Sequence, residues 1–340
     1  MNTYIIVTKE NDFECGVREY SKLLIDNFNS VSFKCELIEL ENYNFKNLIN
    51  LSKRIEKKSK VIIQYPTKSM GYSIAFLFLP WILRKNNLFI FLHEFVIFSL
   101  YRKLLLSFSC IFCTFAFTNT IEANQFQKFF FWKKIKKVVI PLPSNIPYRK
   151  NNIEQKKELI CCFFGHIRED IKNIEFFLKI IDELKKLNSK IKIQIFGSVF
   201  IKSKVKRDNL FNQFSKRGIE VYEKLTIQEL SSKLKKVKVA ILPIKEGLSE
   251  KKATAFACLE HKMAVFSNHS KLTPRWLRLL THPINDLGTD EIAREVIQTM
   301  ELNDNELKLN KDMLESFLKI HSWNNVIEGY FQLLSSDQHQ

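Results

Sequence analysis

Three features of the sequence predict an α/β protein built from two Rossmann-like domains with mostly parallel sheets. Short apolar runs alternate with amphipathic stretches along most of the 340 residues. A proline-rich segment at residues 141–147 interrupts that alternation near the middle. Residues 238–268 read as strand, polar loop, helix and second apolar strand, the pattern of a parallel β-α-β unit.

The first half opens on an apolar strand at residues 4–8 and a polar loop at 9–15. A helix follows, with Val17, Tyr20, Leu23 and Leu24 at spacings of three and four. Strand, glycine turn, helix is how a Rossmann half begins. Gly16 would let backbone approach a ligand closely, or is an ordinary turn glycine. The G-x-G-x-x-G fingerprint of dinucleotide oxidoreductases is missing. The alternation predicts strands at 33–40, 61–65, 88–92, 111–117 and 138–140, with helices at 45–58 and 71–83. A later helix starts on Asn119-x-x-Glu122, which resembles a capping box. Leu92-His93-Glu94-Phe95 sets an imidazole and a carboxylate just past a strand's carboxyl end, where parallel sheets bind ligands. A structural histidine is the alternative there.

Pro141, Pro143 and Pro147 cannot continue a helix or a central strand, and the next ten residues are polar and charged. The expected division is therefore a first domain at 1–147, a second at 158–318, and a crossover helix with tail at 319–340. The second domain begins with a strand at 159–164 and a loop at 165–173 that carries Arg168 and Lys172. Its first helix sets Ile174, Phe177, Leu178, Ile181 and Leu184 on one face. Two cations beside a helix N-terminus can neutralise a diphosphate, or can be solvated charges. Strands are expected at 192–196 and 219–222, and Thr226-Ile-Gln-Glu229 reads as a capping box for a helix reaching 236. The strand at 239–242 then leads into Glu246, Gly247, Ser249, Lys251 and Lys252, with a helix expected over 251–261. Backbone N–H groups at a helix start, with two lysines, suit a phosphate; a solvated β-α connection is the alternative. Helices at 290–301 and 305–317 and a terminal helix opening at Trp323 complete the chain.

Composition narrows the function. The net charge of +17 favours an acidic partner: a nucleotide, a nucleic acid or an anionic membrane surface. A lysine- and asparagine-rich coding bias would also raise it. No nucleic-acid recognition motif accompanies the charge, so nucleic acid is not an expected partner. Cys110-x-x-Cys113 has no matching second pair, which argues against zinc and for reduced core cysteines. No signal peptide is visible, so the expected location is cytoplasmic. The apolar runs at 74–83 and 104–117 fall short of a membrane span and are read as buried elements, with a place near a membrane face as the further option. Lys133-Lys134-Ile135-Lys136-Lys137, next to Phe129, Phe130, Phe131 and Trp132, is the expected site of any peripheral contact with an anionic inner membrane face.

In order along the chain, the Gly16 turn, Leu-His-Glu-Phe at 92–95, Ile-Pro-Leu-Pro-Ser-Asn-Ile-Pro at 140–147, the Arg168/Lys172 loop, the Glu246 loop and the Trp323 helix resemble GT-B glycosyltransferases of the family 4-like kind. The resemblance implies two Rossmann-like domains facing a cleft, with a C-terminal helix crossing back to the first. It implies a metal-independent, retaining transfer from a nucleotide-diphosphate sugar to a glycan or lipid-linked acceptor, as in surface polysaccharide or lipopolysaccharide biosynthesis, with no cofactor. Domain closure would keep water from the donor. His93, with Glu94 beside it, would face the transferred sugar, and Gln64 to Thr67 would line the acceptor side. Arg168 and Lys172 would hold the pyrophosphate, and Glu246 would contact the donor hexose. Gly247, Ser249, Lys251 and Lys252 belong to the same donor loop. Eight positions after Glu246 the family carries a second carboxylate for the ribose, where this sequence has Thr254. A non-catalytic GT-B partner or scaffold, and a sugar-nucleotide epimerase, are the alternatives.

Overall fold

The computed structural model describes residues 2–9, 16–67, 73–133, 135, 137–146, 148, 158–168, 174–302 and 311–335. The chain divides into two compact units, Met1–Pro143 with His321–Gln340, and Ser144–Ile320.

The first unit holds a six-stranded sheet of β1 (Thr3–Thr8), β2 (Cys35–Leu40), β3 (Lys60–Tyr65), β4 (Asn87–Leu92), β5 (Thr114–Phe117) and β6 (Lys137–Val139). Its order is β2-β1-β3-β4-β5-β6, and every pairing is parallel. Central strands are covered on both faces, so β1, β3 and β4 read as nearly unbroken apolar runs rather than as alternation. The helices are α1 (Gly16–Ser30), α2 (Phe45–Arg54), α3 (Leu79–Ile82), α4 (Leu100–Leu105), α5 (Ser109–Phe112) and α6 (Thr120–Phe129), with a 3-10 turn at Ile74–Phe78 leading into α3. Right-handed crossovers sort them. The step from β1 to β2 runs opposite to the steps from β3 to β6, so α1 lies on one face and α2 to α6 on the other.

The terminal helix, Trp323–Ser335, joins α1 on its face. Val326, Ile327, Tyr330, Leu333 and Leu334 are buried with Ile5, Ile62, Phe89 and Phe91, and Trp323 stacks on Tyr20 at 5.6 Å. Each such fully buried side chain stabilises the fold by about 1.5–3 kcal/mol.

The second unit repeats the plan with β7 (Ile160–Phe164), β9 (Lys192–Phe196), β11 (Ile219–Tyr222), β12 (Val239–Leu242), β13 (Ala264–Ser267) and β14 (His282–Pro283) in the order β11-β9-β7-β12-β13-β14, again all parallel. Two short strands, β8 (Ile167–Arg168) and β10 (Val199–Phe200), pair beyond the ends of β7 and β9. The helices are α7 (Ile174–Leu187), α8 (Lys204–Lys216), α9 (Ile227–Leu234), α10 (Ala253–Glu260), α11 (Arg275–Leu279), α12 (Thr289–Glu301) and α13 (Lys311–Ile320). One face carries α7, α8 and α12, and the other carries α9, α10, α11 and α13. Two Rossmann-like units with parallel sheets, and a terminal helix returning to the first, are the elements of the GT-B fold.

Several local expectations are corrected. Residues 104–117 are not a strand with an apolar lead-in. They make the end of α4, the turn into α5, and then β5 from Thr114, so the apolar run folds back on itself. Within it Leu105, Leu106 and Cys110 point inward, while Leu104, Phe108, Ile111 and Phe112 are exposed, so neither this run nor 74–83 is simply buried. Ile167 and Arg168 are strand rather than loop. The helix after the Glu246 loop starts at Ala253, with Lys252 as its N-cap. Thr226 and Glu229 do form a capping box. Cys110, Cys161, Cys162 and Cys258 are buried in the cores.

Gly197 sets the spacing at the ends of β7 and β9. Its φ is +132°, and a Cβ there would stand 2.6 Å from the Gly165 carbonyl oxygen. Backbone meets backbone, so no side chain can yield. Gly197→Ala is expected to cost about 2–3 kcal/mol in urea unfolding. A loss below about 0.5 kcal/mol would mean that the two strand ends part easily.

Candidate functional site

Parallel sheets offer ligands the crevice at their carboxyl edge where the strand order reverses. In the second unit the order reverses between β7 and β12, which are hydrogen-bonded neighbours. The segments leaving these strands begin at Gly165 and Pro243, so the two candidate donor loops flank the switch point.

The loop after β12 is built by alternation. Ile244 and Leu248 are buried as plugs, while Lys245 and Glu246 stay outside. Gly247 turns the chain with φ +81°, and a Cβ there would lie 2.5 Å from the Ser270 Cβ. The Gly247 amide donates to the Ile244 carbonyl at 2.9 Å, and the Leu248 amide donates to the Asn268 carbonyl at 2.7 Å. The Thr273 hydroxyl donates to the Leu248 carbonyl. Glu246 and Lys252 are thereby brought to the same side, with Lys252 Nζ 3.9 Å from Glu246 Oε2. A loose ion pair of partly exposed groups contributes little stability and leaves both charges available to a ligand. Ser249, Lys251 and Thr254 are half-buried around it. Glu250 turns away: its carboxylate accepts from Trp276 Nε1 at 3.2 Å, and burial pushes its pKa up despite that bond.

The β7 side is only partly described. The backbone of Arg168 lies on β8, opposite Phe200, and Lys172 lies outside the described residues. Their meeting with the Glu246 loop is therefore a matter of sequence position at the same sheet edge.

In the first unit the sheet reverses between β1 and β3. Gly16 opens α1 beyond β1, exposed and with open space beside its α-carbon. His93 follows β4, next to β3, and is buried. Its amide donates to the Tyr65 carbonyl at 2.8 Å. Its Nε2 is 2.7 Å from Gln64 Oε1, and Gln64 Nε2 donates to the Tyr330 hydroxyl at 3.1 Å. An amide that donates to Tyr330 presents its carbonyl to the imidazole, so in the neutral ring the proton sits on Nε2. Tyr20, whose hydroxyl is 3.2 Å from that of Tyr330, meets the imidazole edge-on at 5.4 Å, and Phe91 does so at 4.7 Å. Burial pushes both tyrosine hydroxyls well above their ordinary pKa, so both stay protonated. Glu94, beside His93, is partly exposed.

Sequence reading missed the residues that hold His93. Gln64 was assigned to the acceptor side, and Tyr330 lies 266 positions away from it. Glu122 was read as half of a local capping box. Asn119 does accept from the Glu122 amide at 2.9 Å, but the Glu122 carboxylate accepts from the amides of Phe95 at 2.6 Å and Val96 at 2.9 Å. A buried carboxylate thus fixes the turn just after His93. His261, by contrast, is a core histidine bonded to Ser231 and Ala257. Among the described residues, no three His, Cys, Asp or Glu side chains cluster as a metal site. An open depression of about 680 Å³, lined by Lys57, Lys58, Arg84 and Lys85 among others, lies at the opposite, amino-terminal edge of β3 and β4.

Removing the Glu122 carboxylate leaves two amide donors without that acceptor. Glu122→Ala is expected to cost about 1–3 kcal/mol and to speed hydrogen exchange at Phe95 and Val96. Unchanged exchange at those two amides would show that the turn is held by other means.

No protein-family description matches the sequence, and no curated protein matches it. Solved structures do match. HepE from Anabaena in complex with UDP is 9% identical with a TM-score of 0.70, covering 99% of this chain and 100% of its own. A glycosyltransferase from Rickettsia africae is 10% identical with a TM-score of 0.66, covering 99% of each chain. TarM from S. aureus, with UDP, is 13% identical with a TM-score of 0.60, covering 85% of this chain. The present chain spans 58% of the length of that TarM chain. At these identities the likeness establishes the fold, and the fold is GT-B.

Proposed function

We propose that this protein is a glycosyltransferase that moves a sugar from a nucleotide-diphosphate sugar to a glycan or lipid-linked acceptor. The observation that carries the proposal is the loop at the β7/β12 switch point, which presents Glu246 and Lys252 on one side beside the start of α10. UDP in the HepE structure supports a uridine nucleotide as the first donor to try.

In this reading Lys252, Lys251, Arg168 and Lys172 balance the charge that builds on the departing diphosphate. Ser249 and Thr254 add hydroxyl donors. Preorganised groups of this kind lower a barrier by roughly 3–4 kcal/mol for each well-placed donor. Glu246 orients the hexose from the exposed shoulder of its loop, with Gly247 keeping that shoulder tight. Gly16 leaves room for backbone to approach a ligand. His93 faces the transferred sugar with Glu94 beside it, its Nε2–H committed to Gln64 so that Nδ1 is the ring's acceptor. Retention of configuration and independence of a metal follow the resemblance to family 4-like enzymes, as does a place in surface polysaccharide biosynthesis.

Thr254 favours a second reading, a non-catalytic GT-B partner. It stands where the family's second carboxylate holds the ribose, and a hydroxyl offers one contact where a carboxylate offers two. Thermal unfolding against UDP-, GDP-, ADP- and CMP-sugars separates the readings. A ligand that binds only the folded state raises the midpoint with concentration. The expected result is a rise with one nucleotide class, strongly reduced in Glu246→Ala and Lys252→Ala. No rise with any donor at millimolar concentration would reject the enzyme and leave the scaffold.

A further inference from the structure

The first unit carries an apolar surface that the donor site does not use and that reaches well beyond the Phe129–Trp132 and lysine stretch singled out in the sequence. Among the described residues, every aromatic ring in the exposed large hydrophobic set belongs to this unit. Most of these side chains fall between residues 74 and 132, on the outside of the helical layer that carries α3 to α6. Trp81 and Leu100 are each 64% exposed, Phe112 is 54% and Phe131 is 80%.

The elements bearing them adjoin one another. The 3-10 turn packs on α4, and α3 packs on α5. Lys133 Nζ donates to the Ile111 carbonyl at 2.9 Å, which ties the segment after α6 to α5. Lys103 Nζ lies 5.1 Å from the Phe95 ring and 5.7 Å from that of Phe129, which ties α4 to the end of α6. Trp132 packs edge-on against Phe130 and Phe131.

Charge decides what covers this face. Residues 95–133 carry Arg102, Lys103, Lys128 and Lys133 against a single acid, Glu122. Glu122 is buried and committed to backbone amides. Arg84 lies 5.8 Å from the Trp81 ring. A second copy of the chain would bring like charges together across a shared face. An anionic lipid surface takes both components at once: apolar and aromatic side chains enter the head-group boundary, and the cations meet lipid phosphates. No described helix is long and apolar enough to cross a membrane, so this contact lies on one leaflet.

We propose that the exposed face of α3, α4 and α5, with Phe131 and Trp132, is a docking surface for an anionic membrane. The surface stands independently of the donor site. The test is cosedimentation of the full chain with vesicles of phosphatidylglycerol and phosphatidylcholine, and with vesicles of phosphatidylcholine alone. The wild type should bind the anionic vesicles far better, and added salt should weaken binding. The triple variant Leu100→Ser/Leu104→Ser/Phe112→Ser, all at exposed positions, should bind about tenfold less or weaker still with its melting midpoint unchanged. Lys128→Gln/Lys133→Gln should lose the preference for anionic lipid. Equal vesicle binding by wild type and triple variant would overturn the proposal, as would no vesicle binding by the wild type. In the second case, light scattering that shows a dimer split by the triple variant would assign the face to a second copy.

Discussion

Parallel pairing is the constraint on which the rest depends. In both sheets every strand runs the same way, so all the carboxyl ends in a unit share one edge. Each sheet reverses its strand order once. Right-handed crossovers then place helices on both faces and leave one crevice, where the helices that follow the two strands flanking the reversal diverge. The loops that matter chemically are those that start there. This geometry needs no particular side chain at the site, which is why the fold persists at 9–13% identity to the solved structures it resembles.

The two candidate regions use different physics. Around His93 the groups are buried, and they are held by hydrogen bonds through Gln64 to Tyr330 of the terminal helix. Orientation is the product, and a ring held in one tautomer is the consequence. Around Glu246 and Lys252 the groups are charged and partly exposed, on a loop held by the buried plugs Ile244 and Leu248, the Gly247 turn, and hydrogen bonds from its backbone to Asn268 and Thr273. That loop can meet a charged ligand at little cost, because its ion pair is long and screened. The apolar outer layer of the first unit adds a third regime, in which exposed apolar and aromatic side chains stand beside cations.

Local signals carried much of the architecture into the sequence. Unbroken runs such as Val61 to Tyr65 mark central parallel strands, and the capping box at Thr226 and Glu229 formed as read. The apolar stretch from Leu104 to Phe117 misled because a continuous run has no period. It cannot reveal that the chain turns twice and exposes Leu104, Phe108, Ile111 and Phe112. Two-residue strands such as β8 and β10 are too short to leave a pattern. At the candidate site, Glu246, Gly247 and Lys252 were legible because loop chemistry is local. The bonds from Glu122 to Phe95 and Val96, and from Gln64 to Tyr330, were not. Their partners are distant in sequence, and nothing in the intervening chain announces the meeting.

Hydrogen exchange across the full chain, with and without the nucleoside diphosphate that most raises the melting midpoint, tests the central claim most directly. A diphosphate seated at the β7/β12 switch point should slow exchange in residues 165–168 and 244–256, and leave the amino-terminal edges of both sheets unchanged. Slowing confined to those amino-terminal edges, or no slowing in either loop, would contradict the placement of the donor.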